Sequence, residues 1–431
     1  MAMQNPPDQP PCPGPLDLTD ETVRRDPYPV YRWYREFDPL HCLPPTAQGS
    51  PRRFLATRWD DVRAGLKDTR LRREVHRNAL WNQAPEEVAP EFASYAEVLR
   101  AWPLFQDPPR HAKVRRPVNR VLDAAMSATA RPMIAQVVAD VLEGLPSQTE
   151  FDAVGDFARL VPLELDRRLF GLDQLDPGTL GQKLQTIGIA LGNVFDHARI
   201  VSASQAIDFL RDHVEASIQR SRSGTTGAPM LARLLELTGP GGLIDEHQVV
   251  PLALLLLQAA QDSVIGTLAN GLITLLRFPA QRDLCLARPD GFTKAVDEIL
   301  RFESPVQQVT RHAAEDLEMR GVNISAGEGV SFLLGAANRD PQIFDDPDRF
   351  DIDRLLPGTA AFGFGAHACP GMDLGRSIAA QAWQGFFTRF PTLHYHEADL
   401  AWRPTVTFRT LARLPVRTSA YQAPPPEAAP G

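Results

Sequence analysis

The sequence predicts a mainly helical protein with small β-sheets (α+β), folded as one large domain. Three observations carry that expectation. No Gly/Ser-rich linker or long charge run divides the middle of the 431 residues. Apolar residues recur at helical spacing through residues 130–145, 203–220 and, over the longest stretch, 245–277. Strand-like runs are short and fall toward the two ends of the chain.

In chain order, residues 1–16 are Pro-rich, with little to bury, and are expected to form a disordered tail. They lack the basic-then-apolar pattern of a signal peptide. Phe54-Leu-Ala-Thr57 reads as a strand that turns at Arg58 into a helix. Residues 80–106, rich in Ala, Pro and Trp, show no clear period and are expected as a long ordered loop. Residues 245–277 are compatible with one helix that ends at Phe278-Pro279. At about 1.5 Å per residue it would span on the order of 50 Å. Pro251 lies in its second turn, so the true start falls a few residues later. Residues 372–389 form a further helix, and 422–431 a second Pro-rich tail, which leaves 17–421 as the domain.

With 43% hydrophobic and 23% charged residues, the chain has the apolar content for a large core. Its net charge of −8, with no dense Lys/Arg stretch, argues against a nucleic-acid partner. The most apolar stretch, residues 249–276, contains Gln258, Gln261, Asp262 and Asn270, which suits a buried helix and not a membrane span. Cys12, Cys42, Cys285 and Cys369 are too few and too far apart for a disulfide framework or a zinc site. A reducing, cytoplasmic location is expected.

The chemistry concentrates around Cys369. Residues 361–371 read Ala-Phe-Gly-Phe-Gly-Ala-His-Ala-Cys-Pro-Gly. Glycines at this density let backbone approach a flat ligand. A cysteine thiolate after such a loop can ligate iron, tuned by nearby N–H groups. A helix starting just beyond the sulfur would favour the thiolate through its N-terminal dipole.

The complete pattern Phe-Gly-x-Gly-x-His-x-Cys-x-Gly, from Phe362 to Gly371, resembles the haem-binding signature of the cytochrome P-450 family. The resemblance runs over nearly the whole chain. Glu298-Ile-Leu-Arg301 is similar to the family's Glu-x-x-Arg helix, whose role there is structural, with Arg354 as the candidate third partner. The family fold follows as an expectation, with one haem-binding domain. So does a haem b cofactor (iron protoporphyrin IX) ligated by Cys369. His111 and Arg115, in Asp107-Pro-Pro-Arg-His-Ala-Lys-Val-Arg115, together with Arg311 and His367, match the family's propionate-binding residues. Cationic partners of this kind are what a dianionic cofactor needs. Phe362, Gly363 and Ala259 would contact the cofactor's faces.

The family's oxygen-activating run Ala-Gly-x-Asp/Glu-Thr corresponds here to Ala259-Ala260-Gln261-Asp262-Ser263. Ala260 replaces Gly and narrows the oxygen groove. Ser263 replaces Thr, keeping the hydroxyl and losing the methyl that helps fix its rotamer. Asp262 and Ser263 are thus the candidate proton relay. Each also has a structural reading: an acid paired with a neighbouring base, and a hydroxyl bonded to the carbonyl four residues back.

The resemblance implies a monooxygenase that takes two electrons from outside, uses O₂, and hydroxylates or otherwise oxidises a small, largely apolar molecule, in secondary metabolism or catabolism. With no flavin or iron–sulfur segment visible, a ferredoxin and its reductase are the implied donors. Lys113, Arg116, Arg120 and Arg376 form a candidate docking patch. Leu256, Val306, Val309, Thr410 and Leu411 are expected to line the substrate pocket, and Gln258, Gln307 and Gln308 are candidate polar anchors. The altered Ala260–Val264 run leaves open a peroxide-using, coupling or desaturating enzyme. A haem-based ligand sensor is a more remote reading, since no signalling or DNA-binding extension is visible.

Overall fold

A computed structural model describes residues 11–14, 16–17, 19–45, 50–73, 83–146, 150–192, 196–225 and 227–418. The expected C-terminal tail, most of the N-terminal one, and residues 80–82 lie outside them. The chain opens with α1 (Glu21–Arg25), α2 (Tyr28–Phe37), β1 (Leu40–Leu43), β2 (Arg53–Ala56), α3 (Trp59–Gly65) and β3 (Leu71–Arg72). A helical body follows: α4 (Ala93–Ala101), α5 (Arg110–Val121), α6 (Ala124–Glu143), the short strand β4 (Glu150–Asp152), α7 (Leu160–Phe170), α8 (Pro177–Leu191), α9 (His197–Arg222) and α10 (Pro229–Glu236). Next come α11 (Val249–Arg277), α12 (Pro279–Ala287) and α13 (Gly291–Phe302). The chain then forms β5 (Gln308–Ala313), β6 (Leu317–Met319), β7 (Val322–Ile324), β8 (Gly329–Leu333) and α14 (Leu334–Ala337). It closes with α15 (Met372–Arg389), β9 (Leu393–His394), β10 (Ala401–Trp402), β11 (Leu411–Arg413) and β12 (Pro415–Thr418).

Helix boundaries follow local chemistry. Asp123, Asp176 and Asp196 cap α6, α8 and α9, each accepting a hydrogen bond from a first-turn backbone N–H. The longest helix starts at Val249, four residues later than the polar pattern begins. Residues Glu246–Gln248 form a 3₁₀ turn ahead of it. Pro251 then sits in the first turn, where its missing N–H costs no helix bond.

This α11 is apolar around most of its circumference and buried accordingly, as a core helix must be. Two tryptophans fasten it: Trp383 Nε1 of α15 donates to Leu268 O at 3.1 Å, and Trp102 Nε1 donates to Pro251 O at 3.1 Å. A five-stranded sheet ordered β1-β2-β8-β5-β3 packs to one side, with β2 and β8 parallel and the other neighbours antiparallel.

Within residues 80–106 the expectation of an irregular loop is corrected. Helix α4 occupies Ala93–Ala101 and buries Tyr95, Ala96, Val98 and Leu99. Tyr95, Val98, Leu99 and Trp102 are spaced i, i+3, i+4, i+7, a helical stripe that the flanking prolines disguise.

Glu298, Arg301 and Arg354 meet as one buried cluster. Arg301 Nε and Nη2 donate to the two Glu298 oxygens at 2.7 and 2.8 Å. The remaining guanidinium N–H groups reach Asn338 O, Pro347 O and Arg349 O. Arg354 Nε donates to Glu298 Oε1 at 3.2 Å, and the Asp351 N–H donates to the same oxygen at 3.0 Å. Helix α13 is thereby tied to the segment that leads into the cysteine loop.

Candidate active site

Cys369 is held by a loop whose backbone the sequence dictates. Gly363 and Gly365 adopt φ of +65° and +74°, and a Cβ at Gly365 would lie 2.5 Å from Leu66 O. The Cys369 N–H donates to Phe362 O at 2.8 Å, closing the loop on itself. Helix α15 begins three residues on, and the Gly371 N–H points to the sulfur. Burial nevertheless pushes the Cys369 thiol up, with the Gly371 N–H and Arg115 opposing it. A cation at the sulfur would reverse that balance.

The sulfur opens into a cavity of about 370 Å³ between the cysteine loop and α11. On the far wall Ala259 is exposed in the middle of a core helix, with Ala260, Ser263 and Val264 beside it. Phe362 and Gly363 line the near wall. Leu256, Val306 and Val309 contribute apolar surface as expected.

Cations gather along one edge of this cavity. Arg115 donates to Asn119 Oδ1 at 2.8 Å and to the Ala368 carbonyl. Arg311 is buried and donates to Thr310 O at 2.9 Å. The His111 and His367 rings lie 4.3 Å apart, with His367 Nε2 3.9 Å from Asp107 Oδ1. Arg73, which the sequence reading missed, lies close by: its guanidinium donates to Thr310 O at 2.9 Å, and its backbone N–H donates to the Asp107 carboxylate at 2.9 Å.

Burial, with Arg73 close by, lowers the Arg311 pKa to about 9. His111 is lowered to about 4, chiefly by burial, then by His367 and Arg115. His111 Nε2 is buried without a hydrogen-bond partner. Arg115, Arg311 and His367 line the cavity, whereas His111 does not but packs on His367; a depressed arginine with an orphaned ring nitrogen beside it describes an edge suited to negative charge. A flat group carrying two carboxylates fits these residues, with its faces against Ala259 and the cysteine loop.

The proton-relay candidates separate. Ser263 faces the cavity and donates to Ala259 O at 2.9 Å. Thr267, one turn on, also lines the cavity and donates to Ser263 O at 2.8 Å. The i, i+4 spacing from Ser263 could have flagged it. Asp262 is absent from the cavity wall. Its Oδ1 accepts from Arg403 Nη1 at 2.6 Å, so the carboxylate is held by the turn between β10 and β11.

Two pocket candidates are corrected. Thr410 and Leu411 do not line the cavity. Leu411 pairs with Trp402 and is fully buried in the main core, and Thr410 accepts the Arg403 N–H through its carbonyl. The segment returns to the site as expected, but Pro305 and Val306, which it braces, make the wall. Gln307 is likewise turned away, bonded to Tyr31 and Ser304 O, and neither Gln258 nor Gln308 reaches the wall. In the docking patch, Lys113, Arg116 and Arg120 are exposed on α5. Arg376 instead pairs with Asp297 at 2.9 Å and covers Phe362.

A cytochrome P-450 family model matches residues 292–399. Cytochrome P-450 107B1 of Saccharopolyspora erythraea is 32% identical over 85% of this chain and 89% of its own length. The chain belongs to the cytochrome P-450 family. Another P-450 relative, the 6-deoxyerythronolide B hydroxylase of the same organism, is 30% identical over 89% of this chain and 96% of that protein. The solved structure of CalO2 superposes with a TM-score of 0.82 at 31% identity, covering 94% of this chain and 98% of that one. That of P-450 BioI with an acyl carrier protein bearing hexadec-9Z-enoic acid gives 0.79 at 27%, covering 92% and 99%.

As a P-450 the protein is an oxidoreductase with a haem iron cofactor, a haem-thiolate monooxygenase acting on a small molecule with O₂. The residues just described fit that cofactor by charge and shape.

Proposed function

We propose that Cys369 ligates the iron of haem b, with Arg115, Arg311, His111 and His367 holding its propionates and Ser263 passing protons into the oxygen site. One observation carries this reading. Cys369, the exposed mid-helix Ala259 and a cation-rich edge share a single cavity. When bound, haem supplies O₂ activation assisted by the thiolate.

The chain's own residues supply the rest. Ser263 Oγ already donates to Ala259 O, which leaves its lone pairs to accept a proton from the solvent side. Asp262, about a quarter exposed and adjacent to Ser263 in the chain, is the proposed acid on the solvent side, available when Arg403 releases it. The apolar wall formed by Leu256, Val306 and Val309 excludes water and seats an apolar substrate.

Relatives named as a vitamin D(3) 25-hydroxylase and an epothilone C/D epoxidase support oxidation of a small, largely apolar organic molecule, in secondary metabolism or catabolism. The carrier-bound acyl chain in the BioI structure makes a carrier-delivered substrate a concrete form of this reading. A ferredoxin and its reductase are the proposed donors, docking over Lys113, Arg116 and Arg120, in the cytoplasm.

Ser263→Ala is expected to lower product per electron pair consumed by roughly tenfold or more, with hydrogen peroxide appearing instead. The measurement is product and peroxide yield against reductant used. Unchanged coupling would assign the hydroxyl to helix structure alone. The Arg403 grip on Asp262 favours a second reading, turnover driven by peroxide, which brings its own protons and electrons. Product formed from peroxide without redox partners distinguishes it.

A further inference from the structure

Arg73 stands at the cationic edge without reaching the cavity. It follows β3 directly, is half-buried, and is absent from the cavity wall. Three bonds fix it there. Its Nη1 donates to Thr310 O at 2.9 Å, its Nε to Leu104 O at 3.0 Å, and its backbone N–H to Asp107 Oδ2 at 2.9 Å. Leu104 lies on the cavity wall, and Thr310 sits between the wall residues Val309 and Arg311.

Arg311 Nη1 donates to the same Thr310 carbonyl, also at 2.9 Å. Two guanidinium groups thus converge on one oxygen, where their like charges repel. Arg115 brings a third guanidinium to the edge from α5, bonded to the Ala368 carbonyl. Among the described residues, the carboxylate acting on Arg73, Arg311, His367 and His111 is in each case Asp107. One carboxylate against three arginines leaves a surplus of positive charge in a region shielded from water, and such a surplus is costly without an anion. A brace between Leu104 O and Thr310 O would need only N–H donors, which a neutral amide also supplies.

We infer that Arg73 is a positioning residue for the cofactor: it places a further positive charge beside Arg311, so that the edge holds haem with both propionates ionised and favours its reduced state. The inference rests on the assignment of this edge to the haem propionates. Arg73 acts through Arg311 and the field of its own charge, since it does not line the cavity.

The test compares the haem-loaded native protein with Arg73→Gln, Arg73→Lys and Asp107→Asn. Haem release is followed by transfer to an excess of apomyoglobin, and the midpoint potential by spectroelectrochemical titration. Arg73→Gln keeps side-chain N–H donors and loses the charge. It should release haem about tenfold faster, as one unit charge several ångströms away implies at a protein's effective dielectric, and its potential should move negative. Arg73→Lys keeps the charge without the planar fork, and should retain the native potential and recover most of the release rate. Asp107→Asn removes the opposing charge and should move the potential positive. Opposite signs separate charge from damage, because a loosened edge would shift both variants alike. Native release and potential in Arg73→Gln overturn the inference. So do an Arg73→Lys as altered as Arg73→Gln, which would make Arg73 a brace, and an Asp107→Asn shift of the same sign as that of Arg73→Gln. In those cases the site reading stands. A native protein that takes up no haem overturns that reading, and the inference with it.

Discussion

Cys369→Ala should give a folded protein with no haem-thiolate spectrum and product formation at the uncatalysed background. The argument is local. Cys369 is the one cysteine that lines the cavity, and its position is fixed by the bond from its N–H to Phe362 O and by the glycine turns before it. Ala keeps that backbone and removes a single sulfur, so the stability change should stay within about 1 kcal/mol. The edge formed by the cations Arg115 and Arg311 with His111 and His367 beside them is untouched, so the variant should still capture haem, less tightly and without the thiolate's electron donation. The measurement is the carbonyl difference spectrum of the reduced variant beside its circular dichroism. A native carbonyl spectrum would remove Cys369 from the iron.

Arg301→Ala should be the most damaging substitution outside the site. Every N–H of that guanidinium has a partner, and the side chain is fully buried. Its removal leaves Glu298 buried with Arg354 as its remaining cation and strands three backbone carbonyls. Breaking a buried pair in this way costs about 3–5 kcal/mol. That is a large share of the 5–15 kcal/mol by which domains are ordinarily stable. Arg301→Lys keeps the charge but not the planar fork and should recover part of the loss. Urea midpoints of the three proteins check the order. An Arg301→Ala midpoint equal to the native one would show that the cluster contributes little.

The site and its frame were legible in the sequence to different depths. The cysteine loop, Glu298–Arg301 and the His111–Arg115 pair are short-range patterns, where spacing along one turn or helix face already sets the geometry. Arg354 lies fifty-odd residues from its partner and was still placed, because its segment keeps a family spacing. Arg73 and Arg403 were not foreseen. Each acquires its meaning from an element far away in the chain: Asp107 and Asp262 respectively. No periodicity records such pairings. Thr410 and Leu411 show a subtler limit. The sequence indicated that the last hairpin returns to the pocket, but not that Pro305 and Val306, which it braces, form the wall in its place. Helix α4 was missed for a local reason, its apolar stripe being short and bounded by prolines.

Asp262 and Ser263 were expected to act together, and the structure assigns them different surroundings. Ser263 looks into the cavity, whereas Asp262 is gripped by Arg403 from the turn between β10 and β11. That turn also contacts Pro305 and Val306, which line the pocket. The carboxylate next to Ser263 in the chain is thus linked, through one short segment, to residues of the cavity wall.

The central claim, that Cys369 holds haem beneath an apolar substrate pocket, is tested most directly by the optical spectrum of the purified ferric protein. The spectrum is then followed through titration with terpenoid, aromatic, polyketide and peptide compounds. The account predicts a low-spin haem-thiolate Soret band that shifts to the blue with at least one of these classes, as a ligand displaces iron-bound water. A protein that shows no haem band after reconstitution would contradict it.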